Sequence, residues 1–115
     1  MSVSVSEGDV VLARFDQSAT PTKVRPAVAL RQFAPFGDWL LCGISTQLHL
    51  QVVGFDELLS PGDADFSTSG VKATSLIRLG YLAVRSPAAI VAVIGSVSTQ
   101  RHRQMLERLS DRLRP

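Results

Sequence analysis

The chain reads as a mostly antiparallel β-sheet or small barrel followed by one C-terminal helix. Three observations carry that expectation. Five or six short β-rich runs fall within roughly ninety residues, each bounded by Gly, Pro, Asp or Ser. The period then changes, with Met105, Leu106, Leu109 and Leu113 recurring at three- and four-residue spacing. The length of 115 residues, with 45% apolar and 19% charged side chains, suits one folded domain with its own core.

Each element has its own local signals. Residues 10–15 are β-rich, open after Gly8-Asp9 and close at Asp16-Gln17-Ser18, so they read as a strand. Residues 17–23 form a polar loop with Pro21. Arg25-Pro26-Ala27 opens a second strand over 28–33, with Pro26 at the strand start, where a missing N–H is tolerated. The run Ala34-Pro35-Phe36-Gly37-Asp38 is a turn, and 39–46 a third strand, so the three make a meander. Residues 50–53 read as a short strand. The Asp-, Ser- and Gly-rich segment 56–70 reads as an exposed loop with little regular structure. Residues 71–79 are β-compatible, and Pro87 interrupts the next stretch. The apolar residues 88–94 fit either a strand or a helical segment. Ser98 has the chemistry of an N-cap for the closing helix. There is no internal repeat, low-complexity tract or linker.

Several functional classes are excluded. No stretch is long and apolar enough to span a bilayer. The start, Met-Ser-Val-Ser-Val-Ser, lacks the basic and apolar regions of a secretory signal. Cys42 is the single cysteine, so there is no internal disulfide and no zinc-type pair, and the expected compartment is the reducing cytoplasm. No GxSxG nucleophile elbow and no glycine-rich phosphate loop occurs. Asp63-Ala64-Asp65-Phe66-Ser67 starts like a calcium loop, but Thr68 stands at the required glycine and Thr74 at the closing glutamate. No metal site or cofactor is expected. A two-histidine ribonuclease would need His49 and His102 together, and nothing in the pattern joins them.

The net charge is +2, but ten of the twelve basic residues are arginine. Arg101, Arg103, Arg108, Arg112 and Arg114 crowd the last fifteen residues. Arginine favours planar two-point contact with phosphate or carboxylate, so RNA, an acidic partner or simple solvation each fits this helix.

Side-chain alternation separates two candidate hydroxyls. Leu40, Cys42, Ile44 and Thr46 share one strand face, Trp39, Leu41, Gly43 and Ser45 the other. The first set is the more uniformly apolar and reads as the core face, which puts Thr46 at the core edge. Ser45 then points away from the core, above Gly43, where the missing side chain leaves room for a ligand. Arg25 stands at a strand entrance, where a guanidinium can cradle a phosphate and stabilise charge that grows during phosphoryl transfer. A surface ion pair with Asp9 or Asp16 is its alternative role.

These pieces occur in an order that resembles the MazF/PemK toxins, the endoribonuclease halves of bacterial toxin–antitoxin pairs. Gly8-Asp9-Val10-Val11 resembles the family's opening strand, Arg25-Pro26-Ala27-Val28-Ala29-Leu30 its Arg-Pro strand start, and Ile44-Ser45-Thr46-Gln47 its later strand end. Ser69-Gly70-Val71-Lys72 and Ile94-Gly95-Ser96-Val97-Ser98 resemble its later segments, so the similarity spans about residues 7–109. The resemblance implies an SH3-like barrel, a homodimer, a cognate antitoxin and metal-independent cleavage of single-stranded RNA by attack of the 2′-hydroxyl on the adjacent phosphorus. It implies Arg25 and Ser45 as the catalytic pair, with Lys23, Thr46, Gln47, Lys72, Thr74 and Arg78 binding RNA. Where many members carry Cys-Asp-Gln, this chain has Ala73-Thr74-Ser75, without the acid.

Two other classes stay open at this point. One is a non-catalytic SH3-like binding module, either a degenerate toxin or a relative of CcdB-like gyrase poisons. The end, Arg112-Leu113-Arg114-Pro115, lacks the Trp-Gly-Ile tail of those poisons. The other is a dimeric scaffold with Arg25 and Ser45 as ordinary surface residues.

Overall fold

A computed structural model describes residues 3–15 and 23–115. Six strands form one sheet: β1 (Asp9–Arg14), β2 (Val24–Phe33), β3 (Asp38–Ser45), β4 (Glu57–Leu59), β5 (Ser75–Arg85) and β6 (Ile90–Ser96). Their order across the sheet is β4-β5-β3-β2-β1-β6, and every pairing is antiparallel. The expected meander β1-β2-β3 forms its centre. A one-turn helix, α1 (Phe66–Ser69), precedes β5, and α2 (Thr99–Leu113) closes the chain. The mainly β architecture with a C-terminal helix is therefore as the sequence predicts.

The sheet has a core on both faces. One cluster joins Val10, Val28, Leu30, Cys42, Ile77 and Leu79 to Met105 and Leu109 of α2. The other joins Val11, Ala13, Phe15, Ala27, Ala29, Trp39, Leu41 and Ile90, with Val5, Tyr81 and Ala83 against them, and takes nothing from the helix. Strand β3 feeds both, since Cys42 and Leu41 are each fully buried. This corrects the expectation of a single core face. Alternation sorts the side chains as expected, but both sides are apolar, the second one being filled from β1, β2, β3, β5 and β6 together with Val5 and Phe15.

Other departures have local causes. Residues 50–53 form no strand. A 3-10 turn at Leu48–Leu50 uses their backbone, with Leu50 N–H donating to Gln47 O and Gln51 N–H to Leu48 O, and Val53 is left exposed. Segment 56–70 is not an open loop: it supplies β4 and α1, and Asp56, Glu57, Asp65 and Ser69 are buried. Its polar side chains face inward because each carboxylate meets donors. Asp56 accepts from Val52 N (2.8 Å) and Leu79 N (2.9 Å), and Asp65 accepts from Ser98 N (3.0 Å) and Arg101 Nε (2.8 Å).

Strand β5 begins at Ser75, four residues later than expected. Gly70 ends α1 in the left-handed region at φ +83°, and a Cβ there would lie 2.2 Å from Ile94 O. The chain must therefore cross from α1 to the sheet over 71–74 before it can pair. Pro87–Ala89 form a second 3-10 turn, and the apolar run after it is a strand. Ser98 caps α2 as expected, its Oγ accepting from Arg101 N. Leu113 departs from the predicted stripe. It is the last residue of the helix, beyond the buried contacts of Met105 and Leu109, and it is exposed.

Candidate functional site: a cleft at the end of three strands

The start of β2, the end of β3 and a distortion in β5 meet at one cleft of about 430 Å³. The distortion is large. Cys42 pairs with Leu82 and Ile44 with Ile77, so the single residue Gly43 faces four residues of β5, Arg78 to Tyr81. A bulge bends its strand and re-aims the side chains it carries. Leu79 stays fully buried in the core, while Arg78 and Tyr81 line the cleft.

Both proposed catalytic residues line this cleft, twenty positions apart in sequence. Arg25 is exposed, on the second residue of β2 and opposite Ala13 of β1. Pro26 follows, just before the β2–β3 ladder starts at Ala27↔Gly43, so its missing N–H is absent from that ladder. Among the described residues no ion pair joins Asp9 to Arg25, and the Asp9 carboxylate accepts from Ser6 N at 2.8 Å. Asp16, and residues 17–22 of the expected polar loop, lie outside the described residues. Ser45 is half-buried at the last position of β3, and its Oγ accepts from Gln47 N at 3.0 Å. That bond consumes a lone pair and leaves the O–H to donate to a ligand.

Thr46 and Gln47 also line the cleft, and both are exposed. Thr46 therefore does not sit at the core edge. β3 ends at Ser45, and the Ser45–Gln47 turn replaces the alternation that would have buried it. Gly43 needs a second correction. The space above it holds the Tyr81 ring, not a ligand: a Cβ on Gly43 would lie 2.5 Å from Tyr81 Cδ2.

Tyr81 packs edge-on against Phe15, with ring centroids 4.6 Å apart, and the guanidinium carbon of Arg78 sits 5.2 Å from the Tyr81 centroid. Tyr81 and Phe15 are the site residues that sequence reasoning missed. Their contacts depend on the bulge, which leaves no periodic trace; only Gly43, opposite an aromatic, hinted at a close approach.

The remaining predicted residues spread more widely. Lys23 is exposed just ahead of β2, two positions from Arg25, but does not line the cleft. Lys72 is exposed and Thr74 half-buried in the α1–β5 connection; neither is in a strand, as was expected of Lys72, and neither lines the cleft. Arg78 does line it.

The histidines are apart from this chemistry. His102 donates from Nε2 to Leu30 O at 2.8 Å, His49 is exposed in the 3-10 turn, and neither lines the cleft. The C-terminal arginines divide. Arg101 is enclosed by Glu57, Asp63 and Asp65, and Arg108 bonds Glu57, so those two hold the fold together. Arg112 stacks over Phe55 and Arg114 pairs with Asp111, while Arg103 is exposed.

Among the described residues no group of three or more His, Cys, Asp or Glu is arranged to hold a metal ion. Cys42 is buried, and desolvation pushes its thiol up to about 12, so it is no nucleophile. Among the described residues no helix is long and apolar enough to cross a membrane. Comparison with protein-family models finds no match, and comparison with curated proteins finds none either.

Proposed function

We propose that the chain is the toxin of a type II toxin–antitoxin pair, a metal-independent endoribonuclease that cleaves single-stranded RNA in the β2–β3–β5 cleft. One observation carries this reading: Arg25 and Ser45 converge on the same cleft with Arg78, Thr46 and Gln47. Two guanidiniums, a free hydroxyl hydrogen and a side-chain amide suit a phosphodiester.

In this reading the ribose 2′-oxygen attacks the adjacent phosphorus and the bond to the 5′-oxygen breaks. The products are a 2′,3′-cyclic phosphate and a 5′-hydroxyl. Arg25 stabilises the added negative charge on the phosphorane, and Ser45 Oγ donates to a non-bridging oxygen. The described lining contains no carboxylate and no imidazole. In this scheme water takes the 2′-proton and supplies one to the 5′-oxygen, while the protein supplies charge and orientation.

The proposal includes an SH3-like barrel of MazF/PemK type, a homodimer, a cytoplasmic setting and an antitoxin whose acidic segment folds on binding. The two-sided core supports the barrel, since its second cluster joins side chains of β1, β2, β3, β5 and β6 with Val5 and Phe15 and takes none from a helix.

The test is incubation of the purified protein with a long RNA in EDTA. Cleavage is expected, with Arg25→Ala reducing the rate about 100- to 1,000-fold and Ser45→Ala by a smaller factor. Intact RNA at high protein concentration refutes the enzyme. The same lining favours one second reading, a cleft that holds a phosphate backbone without cutting it. Tight RNA binding with no products would establish that one.

A further inference from the structure

We infer that Tyr81 is a positioning residue, whose ring holds the Arg78 guanidinium in the cleft with its donors directed to an RNA phosphate. The functional half of this rests on the reading of the cleft as an RNA site; the positional half does not.

The Tyr81 ring is fixed on several sides. Phe15 meets it edge-on at 4.6 Å, and Gly43 makes room for it, since any Cβ there would lie 2.5 Å from Cδ2. A ring so confined has one orientation to offer, and the Arg78 guanidinium carbon lies 5.2 Å from its centroid. A cation held over a ring face has a particular consequence for arginine. The attraction is to the ring's π-face and spends no N–H donor.

Arg101 shows the opposite case in the same chain. Its donors go to Asp65, Asp63, Glu57 and the carbonyl of Leu58, which leaves nothing for a ligand. No hydrogen bond or ion pair among the described residues consumes those of Arg78. The aromatic face thus sets the direction of Arg78 where an acidic partner would have neutralised it. Lysine cannot replace it, because an ammonium has no plane to stack and no fork for a phosphate.

The test has two arms. In the first, the Arg78 Nε–H proton is assigned by its loss in Arg78→Lys. In the wild-type protein it is expected upfield of the arginines that face no ring, shifted by the ring current as is that of Arg112 over Phe55. It stays there in Tyr81→Phe and moves downfield in Tyr81→Leu. An unshifted wild-type resonance overturns the positional claim, even if Tyr81→Leu does not fold. In the second arm, binding of a fluorescein-labelled single-stranded RNA in EDTA is measured by anisotropy. Tyr81→Leu and Arg78→Ala are each expected to weaken binding about tenfold, with Tyr81→Phe near wild type and the double variant no worse than either single one. Additive losses, or equal loss in Tyr81→Phe, overturn the functional claim. If the wild-type protein binds no RNA, the reading of the cleft fails, while the resonance still decides whether Tyr81 positions Arg78.

Discussion

Replacing Arg101 with alanine would strand two buried carboxylates. The Arg101 side chain is 13% exposed, and its main partners, Asp65 and Glu57, are 6% and 10% exposed. Removing one member of a buried ion pair costs about 3–5 kcal/mol, because the partner charge stays behind without compensation. Glu57 keeps Arg108, and Asp65 keeps the Ser98 N–H, so the loss belongs at the lower end of that range. For a domain of this size 1 kcal/mol moves Tm by about 4 °C, so a fall of about 12 °C is expected. Thermal unfolding at pH 7 followed by Trp39 fluorescence measures the fall in Tm and urea unfolding the free-energy loss, with Arg103→Ala as an exposed control expected within about 0.5 kcal/mol of wild type.

The pH dependence supplies a second readout of the same variant. Burial alone would raise the Asp65 pKa. The Arg101 guanidinium and the Ser98 N–H outweigh burial and hold it below its ordinary 3.8. A depressed carboxylate contributes stability fully above its unfolded value and loses it as pH falls through the folded one. The unfolded state is common to both proteins, so the gap should be constant near neutrality and narrow as pH falls from the carboxylate value that burial raises in Arg101→Ala to the depressed one of the wild type. A penalty under about 1 kcal/mol at pH 7, or a gap that widens in acid, would refute the reasoning.

Other outcomes rest on close packing and burial. Gly95→Ala places a Cβ 2.3 Å from Thr68 O, and two backbones must separate, so a loss of about 2–3 kcal/mol is expected by chemical denaturation; near-neutral behaviour would mean that the α1–β6 contact is looser than described. Cys42 is expected to resist thiol reagents such as DTNB in the native state and to react once unfolded, as a thiol held near 12 should. Fast native labelling at pH 8 would contradict its burial.

Much of the fold was legible because local signals agreed with one another. The turn at 34–38 bounds β2 and β3, and Ser98 starts α2 with Met105 and Leu109 on its buried stripe. Segment 56–70 was not legible, because polarity was read as exposure. Asp56 and Asp65 are polar and buried, and the donors that satisfy them, Leu79 N and Arg101, are 23 and 36 residues away. The Arg25–Ser45 pairing was visible as two strand termini on neighbouring strands. Thr46 was misplaced because alternation was carried one residue past the end of β3. Tyr81 was invisible because the expected strand stopped at residue 79, whereas β5 runs through a bulge to Arg85.

The bulge in β5 also separates two requirements that a strand normally couples. At its centre, Leu79 is anchored in the core and its N–H is held by Asp56 Oδ1 at 2.9 Å. On either side, Arg78 and Gly80-Tyr81 lie outside the ladder with β3, whose pairs resume at Ile77 and Leu82. Position 78 is therefore exchangeable on a fixed mount, because Leu79 is buried and the Tyr81 ring packs on Phe15 and the second core cluster. The residue at 78 can be varied to change the lining of the cleft while the sheet register on both sides stays put. That freedom lasts only while Asp56 remains, since its other oxygen ties the same mount to the turn at Val52. A library at position 78 should retain folded members in quantity, and one that also randomises Asp56 should lose them.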